Sequence, residues 1–165
     1  MLHLLDADTL ITSSNKIYKM SRFMPFWLWL LEMGEKGSLK VPHEQYDEIA
    51  VGNKKDDPLV NWITQKETGA ALVLQEEVDT RLLAEVIAKG YAPDLNEVEL
   101  VEVGKDPFLI AYACMDPKSR CVVTFENSKP RKKRANSKIP DVCKILGVQC
   151  ITIFEMLEVL DFKLK

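Results

Sequence analysis

Residues 4–11 read LLDADTLI, an apolar run that ends in Asp6 and Asp8 and then becomes apolar again. The segment HLLDA (3–7) has the length and apolar character of a short buried strand. In open α/β sheets, ligands bind beyond the carboxyl ends of the strands, and the two carboxylates follow the strand at that end. The pair is therefore either a surface turn or the beginning of a site for a metal or for phosphate transfer.

Strands and helices alternate along the rest of the chain. The apolar runs RCVVTF (120–125) and VQCITI (148–153) predict interior strands, LKVP (39–42) predicts a brief strand, and AALVL (70–74) is a weaker strand candidate. Helical patterns lie at 24–35, 42–51, 58–66, 76–90, 106–114, 139–147 and 154–164. This alternation predicts a three-layer α/β/α sandwich around a mostly parallel sheet, with residues 1–165 as a single domain.

The composition favours a globular protein with a large core, because 47% of the 165 residues are hydrophobic. The longest apolar run, MPFWLWLL (24–31), is far shorter than the roughly 20 residues that span a bilayer. Asp6 and Asp8 interrupt the first apolar stretch, so no signal peptide is predicted. The four cysteines lack the paired spacing of metal ligands, so we predict that they are free thiols. We therefore expect a cytoplasmic protein without membrane contact.

The charge is unevenly distributed, although the formal net charge is only −3. Six basic residues and no acidic residue lie between Asn127 and Pro140, which leaves the rest of the chain strongly acidic. Such a basic segment is either a solvated loop or a surface for a polyanion.

Two further acids are expected at the edge of the sheet that carries Asp6. Glu126 comes directly after the apolar run CVVTF (121–125), where an interior strand is predicted to end. Because the carboxyl ends of parallel strands meet at one edge, Glu126 and Asp6 are expected to lie there together. Asp106 precedes Pro107 at the start of a buried helix, where we expect it to be the N-cap.

The order of these motifs resembles the PIN-domain nucleases along nearly the whole chain. LLDADTLI matches the opening motif with Asp6 as its first acid, and EIAVG (48–52) matches a Glu-apolar-x-x-Gly motif with Glu48. DPFLIAYA then supplies Asp106, and VVTFE supplies Glu126 where many relatives carry Asp. The later stretch KIPDVCKILGVQCITIFEML (138–157) resembles a small prokaryotic branch of PIN-like proteins.

The resemblance implies a metal-dependent endoribonuclease, a hydrolase that cleaves phosphodiester bonds. It implies catalytic roles for Asp6, Glu48, Asp106 and Glu126, and metal binding by Asp6, Asp106 and Glu126. The residue chemistry agrees, because Mg²⁺ and Mn²⁺ are hard cations that prefer carboxylate oxygens. Four clustered acids without a cation would also raise one another's pKa. The predicted cofactor is therefore Mg²⁺ or Mn²⁺.

Two assignments stay open. Glu44 and Asp47 share a helix face with Glu48, so the choice of Glu48 depends on the motif match alone. Auxiliary roles are predicted for Asp8, Thr124 and Asp141.

PIN relatives of this size resemble the toxins of prokaryotic toxin–antitoxin pairs. The resemblance therefore implies an RNA substrate, a protein antitoxin and a homodimer. The basic segment is the predicted RNA-binding surface, through Lys129, Arg131, Lys132, Lys133 and Arg134.

Two other functions are compatible with the residues. DADTL (6–10) also resembles the opening motif of haloacid-dehalogenase-like phosphatases, but it lacks the glycine, and no strand followed by Gly-Asp or Asp-Asp comes after Thr124. The other alternative is a PIN-shaped binding module with little activity, because Glu126 departs from the commonest pattern. Manganese-dependent RNA cleavage and hydrolysis of p-nitrophenyl phosphate distinguish the two enzymes, and inactivity in both assays indicates the module.

Overall fold

The protein is an α/β sandwich, seen in a computed structural model that describes residues 1–51 and 56–163. Four strands form one sheet over these residues: β1 (Leu2–Leu5), β2 (Leu39–Lys40), β3 (Arg120–Thr124) and β4 (Gln149–Thr152). Their order across the sheet is β2-β1-β3-β4, and every pairing is parallel. The predicted fold class is confirmed.

The helices connect the strands and cover both faces of the sheet. They are α1 (Ala7–Thr12), α2 (Met24–Glu35), α3 (His43–Val51), α4 (Pro58–Ile63), α5 (Lys66–Leu72), α6 (Thr80–Val86), α7 (Glu97–Val103), α8 (Asp106–Cys114), α9 (Ile139–Leu146) and α10 (Ile153–Val159). Two π-helical turns, Ser13–Ile17 and Ile87–Tyr91, extend α1 and α6, and a 3₁₀ turn covers Arg134–Asn136.

Neighbouring residues of each central strand belong to different apolar cores. Leu5 and Val123 pack with α2, α3 and α10 on one face, whereas Leu4 and Val122 pack with α8 and α9 on the other. Successive side chains of a strand point to opposite faces, so a strand that is apolar throughout requires a layer of helices on each side. The three-layer arrangement follows from that requirement.

The strand prediction for AALVL (70–74) is wrong. Leu72 ends α5, and only Val73 makes an isolated parallel bridge, with Val41. The amide of Val73 still donates to the carbonyl of Gly69 at 2.9 Å, as in a continuing helix. A short apolar run does not distinguish a buried helix end from a strand, and the packing of α5 against Gly34 of α2 favours the helix here.

All four cysteines are free thiols, as predicted, and Cys121 and Cys143 are buried. Within the two described ranges, no helix combines the length and the apolar character that crossing a membrane requires.

Candidate active site

The candidate site lies at the carboxyl end of the two central strands. Asp6 follows β1, and its amide donates to the carbonyl of Val123 in β3 at 3.0 Å. The hydroxyl of Thr124, the last residue of β3, donates to the Asp6 carboxylate at 2.9 Å. The amide of Glu126 then donates to the same hydroxyl oxygen at 3.1 Å. One threonine thus joins the first and the last of the predicted acids.

Asp6 is buried, with only 6% of its surface exposed. Burial raises the pKa of its carboxyl to about 7, and the charges of Asp8, Glu48 and Glu126 act in the same direction. The hydrogen bond from Thr124 opposes this change because it stabilises the charged form. In the metal-free protein, a large fraction of Asp6 is therefore protonated at neutral pH.

Asp106 is the first residue of α8, and the prediction that it caps this helix is wrong. Lys105 is the N-cap: its backbone is already helical, and its carbonyl accepts the amide of Phe108 at 3.1 Å. Burial raises the pKa of Asp106 to about 8, with further contributions from the charges of Asp6, Glu126 and Glu48. The carboxylate is therefore close enough to the other acids for their charges to act on it.

The structure distinguishes among the three acids of α3. Glu48 lines an open groove of about 580 Å³ together with Asp106 and Asp47, and its charge acts on both Asp6 and Asp106. Glu44 lines a different cavity, and Asp47 forms an ion pair with His43 at 3.5 Å. Glu48 is the acid of this helix that the fold brings to Asp6.

Glu48 itself is exposed, yet partial desolvation and the nearby charge of Asp8 raise the pKa of its carboxyl. Gly52, the glycine of the matching motif, lies outside the described residues. We refer below to four residues as the acidic cluster: Asp6, Glu48, Asp106 and Glu126.

Glu126 is held on both of its carboxylate oxygens. Lys138 donates to one oxygen at 2.8 Å, and the amide of Ile139, the first residue of α9, donates to the other at 2.9 Å. The ammonium of Lys138 also lowers the pKa of Asp106, so it lies beside the acidic cluster. From the sequence, Lys138 was only one of the six basic residues between Asn127 and Pro140.

Tyr91 was not predicted from the sequence as a site residue. Only 7% of its surface is exposed, and its hydroxyl has no hydrogen-bond partner among the described residues. Burial raises the pKa of the phenol, and the charges of Asp106, Glu126 and Asp6 raise it further. The hydroxyl is therefore near enough to these carboxylates for their charges to act on it.

Gln45 of α3 provides a second unsatisfied polar group. The residue is fully buried, and its amide nitrogen donates to the carbonyl of Lys105 at 3.0 Å, next to Asp106. Its amide oxygen has no partner within the described part of the chain. Buried polar groups in native proteins are nearly always paired, so the unpaired atoms of Gln45 and Tyr91 each mark a place where a polar ligand or an ordered water would bind.

The donor chemistry of the cluster fits a hard divalent cation. The carboxylates of Asp6, Asp106 and Glu48 are oxygen donors, and the unpaired Tyr91 hydroxyl suits a water of a hydrated ion. In residues 1–51 and 56–163, however, no three His, Cys, Asp or Glu side chains are arranged to hold a metal ion. Because both oxygens of Glu126 already have donors, metal binding by Glu126 requires that one of them be shared or released. Metal binding by these acids stays a prediction.

The three auxiliary residues have different positions. Thr124 is central to the site, as described. Asp8 is exposed, accepts the hydroxyl of Thr12 at 3.1 Å and acts on the cluster through its charge. Asp141 accepts the hydroxyl of Ser128 and the amide of Lys129, the latter at 2.7 Å. Asp141 therefore anchors the basic segment, and the structure does not bring it to the acidic cluster.

The basic segment is exposed, but its members differ in their partners. Arg134 forms ion pairs with Glu99 at 2.6 Å and with Asp94 at 2.8 Å. These contacts hold the pKa of Glu99 low, at about 2. Arg131, Lys132 and Lys133 are exposed and form no ion pair within the described residues. RNA binding by the segment stays a prediction.

Comparison with known proteins identifies the family. A family model described as Domain of unknown function (DUF4411) matches residues 3–164. The chain belongs to the DUF4411 family. The DUF4411 match includes every residue of the acidic cluster and the whole basic segment. No curated protein and no solved structure matches the chain.

Proposed function

We propose that the protein is a metal-dependent endoribonuclease that uses the acidic cluster to hydrolyse RNA phosphodiesters. The observation that supports this most is the pair of carboxyls of Asp6, which is buried, and Asp106, which is half-buried. They come from different elements, and each lies close enough for its charge to act on the cluster. Carboxyls with strongly perturbed pKa values at the end of a parallel sheet are typical of functional sites.

Asp6 and Asp106 would hold the cation, with Glu48 at the mouth of the groove. Such a cation would neutralise the charge of the phosphodiester and activate a water molecule. The Thr124 hydroxyl fixes the orientation of Asp6 and stabilises its charged form. The ammonium of Lys138 donates to Glu126, and its charge opposes the rise in the pKa of Asp106. Burial of Asp6 and Tyr91 excludes bulk water from the inner side of the cluster.

The resemblance to PIN toxins extends the proposal to a toxin–antitoxin pair in the cytoplasm. An active ribonuclease would damage the cell that makes it, which is a reason for a protein inhibitor that covers the acidic groove. An arginine of that inhibitor would pair with the exposed carboxylates, because its planar guanidinium group can donate two parallel hydrogen bonds to one carboxylate. A homodimer is part of the same proposal.

One observation favours a second candidate, a PIN-shaped binding module with little activity. Glu126 has a donor on each carboxylate oxygen, and no three-acid metal set is present among the described residues. A chain that keeps the fold but cannot bring a third carboxylate to the cation would bind nucleic acid and not cleave it.

The test is cleavage of a labelled single-stranded RNA with Mn²⁺ by the wild type and by Asp6→Asn. We expect the wild type to cleave and Asp6→Asn to lose at least a hundredfold in rate. Asp116→Asn is the matched control, because it removes the same charge in the turn before β3, at the other end of that strand. Equal rates for the wild type and Asp6→Asn would refute the assignment, and an inactive wild type that still binds RNA would indicate the module.

A further inference from the structure

We propose that a basic cleft beside the acidic cluster binds the phosphate backbone of a single-stranded nucleic acid. The cleft lies between the π-helical turn Ile87–Tyr91, the loop 128–133 and α9, and it has a volume of about 380 Å³. We call it the lysine cleft, after Lys132, Lys133 and Lys144, which line it with Ser128 and Ser137. The choice of nucleic acid as the ligand rests on the proposed function.

The lysine cleft carries a net positive charge. Lys132, Lys133 and Lys144 are exposed, and none of them forms an ion pair within the described ranges. Lys89 at the rim is paired with Glu85. Asp141 is the single carboxylate among the described residues that line the cleft. Its two oxygens accept the hydroxyl of Ser128 and the amide of Lys129, and its single negative charge offsets only part of the positive charge of the three lysines.

The fold holds the walls of the cleft in place. Asp141 fixes the loop at Ser128 and Lys129, and the ion pairs of Arg134 with Glu99 and Asp94 fix it at the other end. Lys132 and Lys133 lie between these two anchors and project from a loop that is held at both ends. Arg134 is thereby an anchor of the cleft and not a part of its binding surface.

The base of the cleft requires a glycine. A Cβ atom on Gly90 would lie 2.4 Å from Cγ1 of Val142 in α9. A contact under 3.0 Å between these atoms is sterically forbidden, so only glycine lets the π-helical turn pack directly against α9. This close packing sets Lys144 of α9 beside the loop lysines.

The lysine cleft is adjacent to the acidic cluster. Ser128, which lines the cleft, follows Glu126 by two residues, and Ser137, which also lines it, directly precedes Lys138, the ammonium partner of Glu126. A strand bound at the acidic cluster would therefore extend over the cleft. Lysine is a point charge without base-specific geometry, so we expect binding that depends on the backbone and tolerates any base sequence.

The experiment measures binding of the metal-free full-length protein, in EDTA, to a labelled single-stranded RNA and to DNA of the same sequence, from 50 to 300 mM NaCl. The variant Lys132→Ser/Lys133→Ser/Lys144→Ser removes the three cleft charges. The control Lys16→Ser/Lys19→Ser/Arg22→Ser removes three exposed charges from the opposite layer, where Tyr18 and Met20 pack. The single variant Lys144→Glu provides a second test at one exposed position.

For single strands, each lost phosphate contact lowers the slope of log K against log salt by about 0.7. With both oligonucleotides, we expect the slope of the cleft variant to be smaller in magnitude than the wild-type slope by about 2. The control should keep the wild-type slope. Lys144→Glu should weaken binding at least threefold. An unchanged slope in the cleft variant, or an equal loss in the control, would overturn the proposal.

Binding and cleavage together distinguish a failure of the cleft proposal from a failure of the nuclease proposal. Binding that depends on the cleft, in a protein that does not cleave RNA, would refute the nuclease and support the cleft. An unchanged salt slope in a protein that does cleave RNA would refute the cleft alone.

Discussion

The hydroxyl of Thr124 donates to the carboxylate of Asp6 at 2.9 Å and accepts the amide of Glu126 at 3.1 Å. Both Thr124 and Asp6 are buried, and 118 positions separate them in the chain. The contact forms because β1 and β3 are adjacent parallel strands, with Leu5 paired to Val123. Thr124 therefore controls both the position and the ionisation of Asp6.

The first prediction concerns Thr124→Val, which keeps the shape and removes the hydroxyl. We expect a loss of about 1–3 kcal/mol in the free energy of unfolding, because the amide of Glu126 loses its partner. RNA cleavage should fall at least tenfold, since Asp6 loses the hydrogen bond that favours its charged form. Urea denaturation and Mn²⁺-dependent cleavage measure the two effects.

Thr124→Ser is the control, because it restores the hydroxyl with one methyl group fewer. It should recover most of the activity. If Thr124→Ser and Thr124→Val are equally active, the hydroxyl has no role in the reaction.

The second prediction is a pH dependence of the metal-free protein. The carboxyls of Asp6 and Asp106 have pKa values of about 7 and about 8 in the folded state, against 3.8 as the ordinary value. Because these pKa values are raised in the folded state, the unfolded chain releases the two protons at a lower pH than the folded chain does. The stability that the two protonated carboxyls contribute is therefore complete below pH 4 and is lost as the pH rises through 7 and 8. In EDTA, the free energy of unfolding should therefore fall between pH 5.5 and pH 8.

Asp6→Asn removes one of the two groups and keeps an acceptor for Thr124. At pH 8 we expect it to be more stable than the wild type by roughly 2–4 kcal/mol, because each pKa unit corresponds to about 1.4 kcal/mol. Mn²⁺ should stabilise the wild type at pH 8 more than at pH 5.5, since it binds the deprotonated carboxylates. A wild type that gains stability from pH 5.5 to pH 8 in EDTA contradicts this prediction.

The third prediction concerns the buried hydroxyl of Tyr91. Because this hydroxyl has no partner among the described residues, Tyr91→Phe should leave the free energy of unfolding unchanged or raise it by about 1 kcal/mol in EDTA. The same change should lower RNA cleavage and the stabilisation by Mn²⁺, since the charges of the acidic cluster act on the phenol.

Tyr112→Phe is the matched control for Tyr91→Phe. The Tyr112 hydroxyl donates to the carbonyl of Glu76 at 3.2 Å, so its removal should cost about 1 kcal/mol of stability and leave cleavage unchanged. If Tyr91→Phe lowers the free energy of unfolding and leaves cleavage unchanged, the Tyr91 hydroxyl serves only the packing of the core.

The fourth prediction concerns the anchor of the basic loop. Glu99→Gln removes the charge that pairs with Arg134, and Glu97→Gln removes an equal charge from the exposed first turn of the same helix. Hydrogen exchange of residues 127–137 should become faster in Glu99→Gln and stay unchanged in Glu97→Gln. Equal exchange in the two variants would mean that the ion pair does not hold the loop.

The main elements of the fold could be predicted from local patterns. The helix at 24–35 and the strands at β1 and β3 have the apolar character of buried elements, and their positions agree with the structure. The position of Asp6 and Glu126 at one edge of the sheet followed from one topological rule about parallel strands, whereas the link between them through Thr124 was not predicted. These predictions needed no knowledge of contacts between distant residues.

The remaining features of the site depend on such contacts. Tyr91 and Lys138 approach the acidic cluster only because α6 and α9 pack beside α8, and no motif of theirs indicates it. The choice of Glu48 over Glu44 depends on the rotation of α3, which its weak apolar periodicity does not define. The N-cap of α8 is Lys105 and not Asp106, because the carbonyl of Lys105 accepts the first helical amides, those of Phe108 and Leu109.

The last prediction is biological and follows from the proposed toxin function. Induced expression of the wild type in bacteria should arrest growth, and Asp6→Asn should not, because the variant lacks one of the two carboxylates that would hold the cation. A small basic protein from the neighbouring gene should restore growth if its arginine blocks the groove that Glu48 and Asp106 line. The measurement is a plate assay of the three strains, with Asp116→Asn as the control that should remain toxic. Equal growth of the wild type and Asp6→Asn, with both proteins well expressed and folded, would refute the toxin and leave the in vitro nuclease to be judged by its own assay.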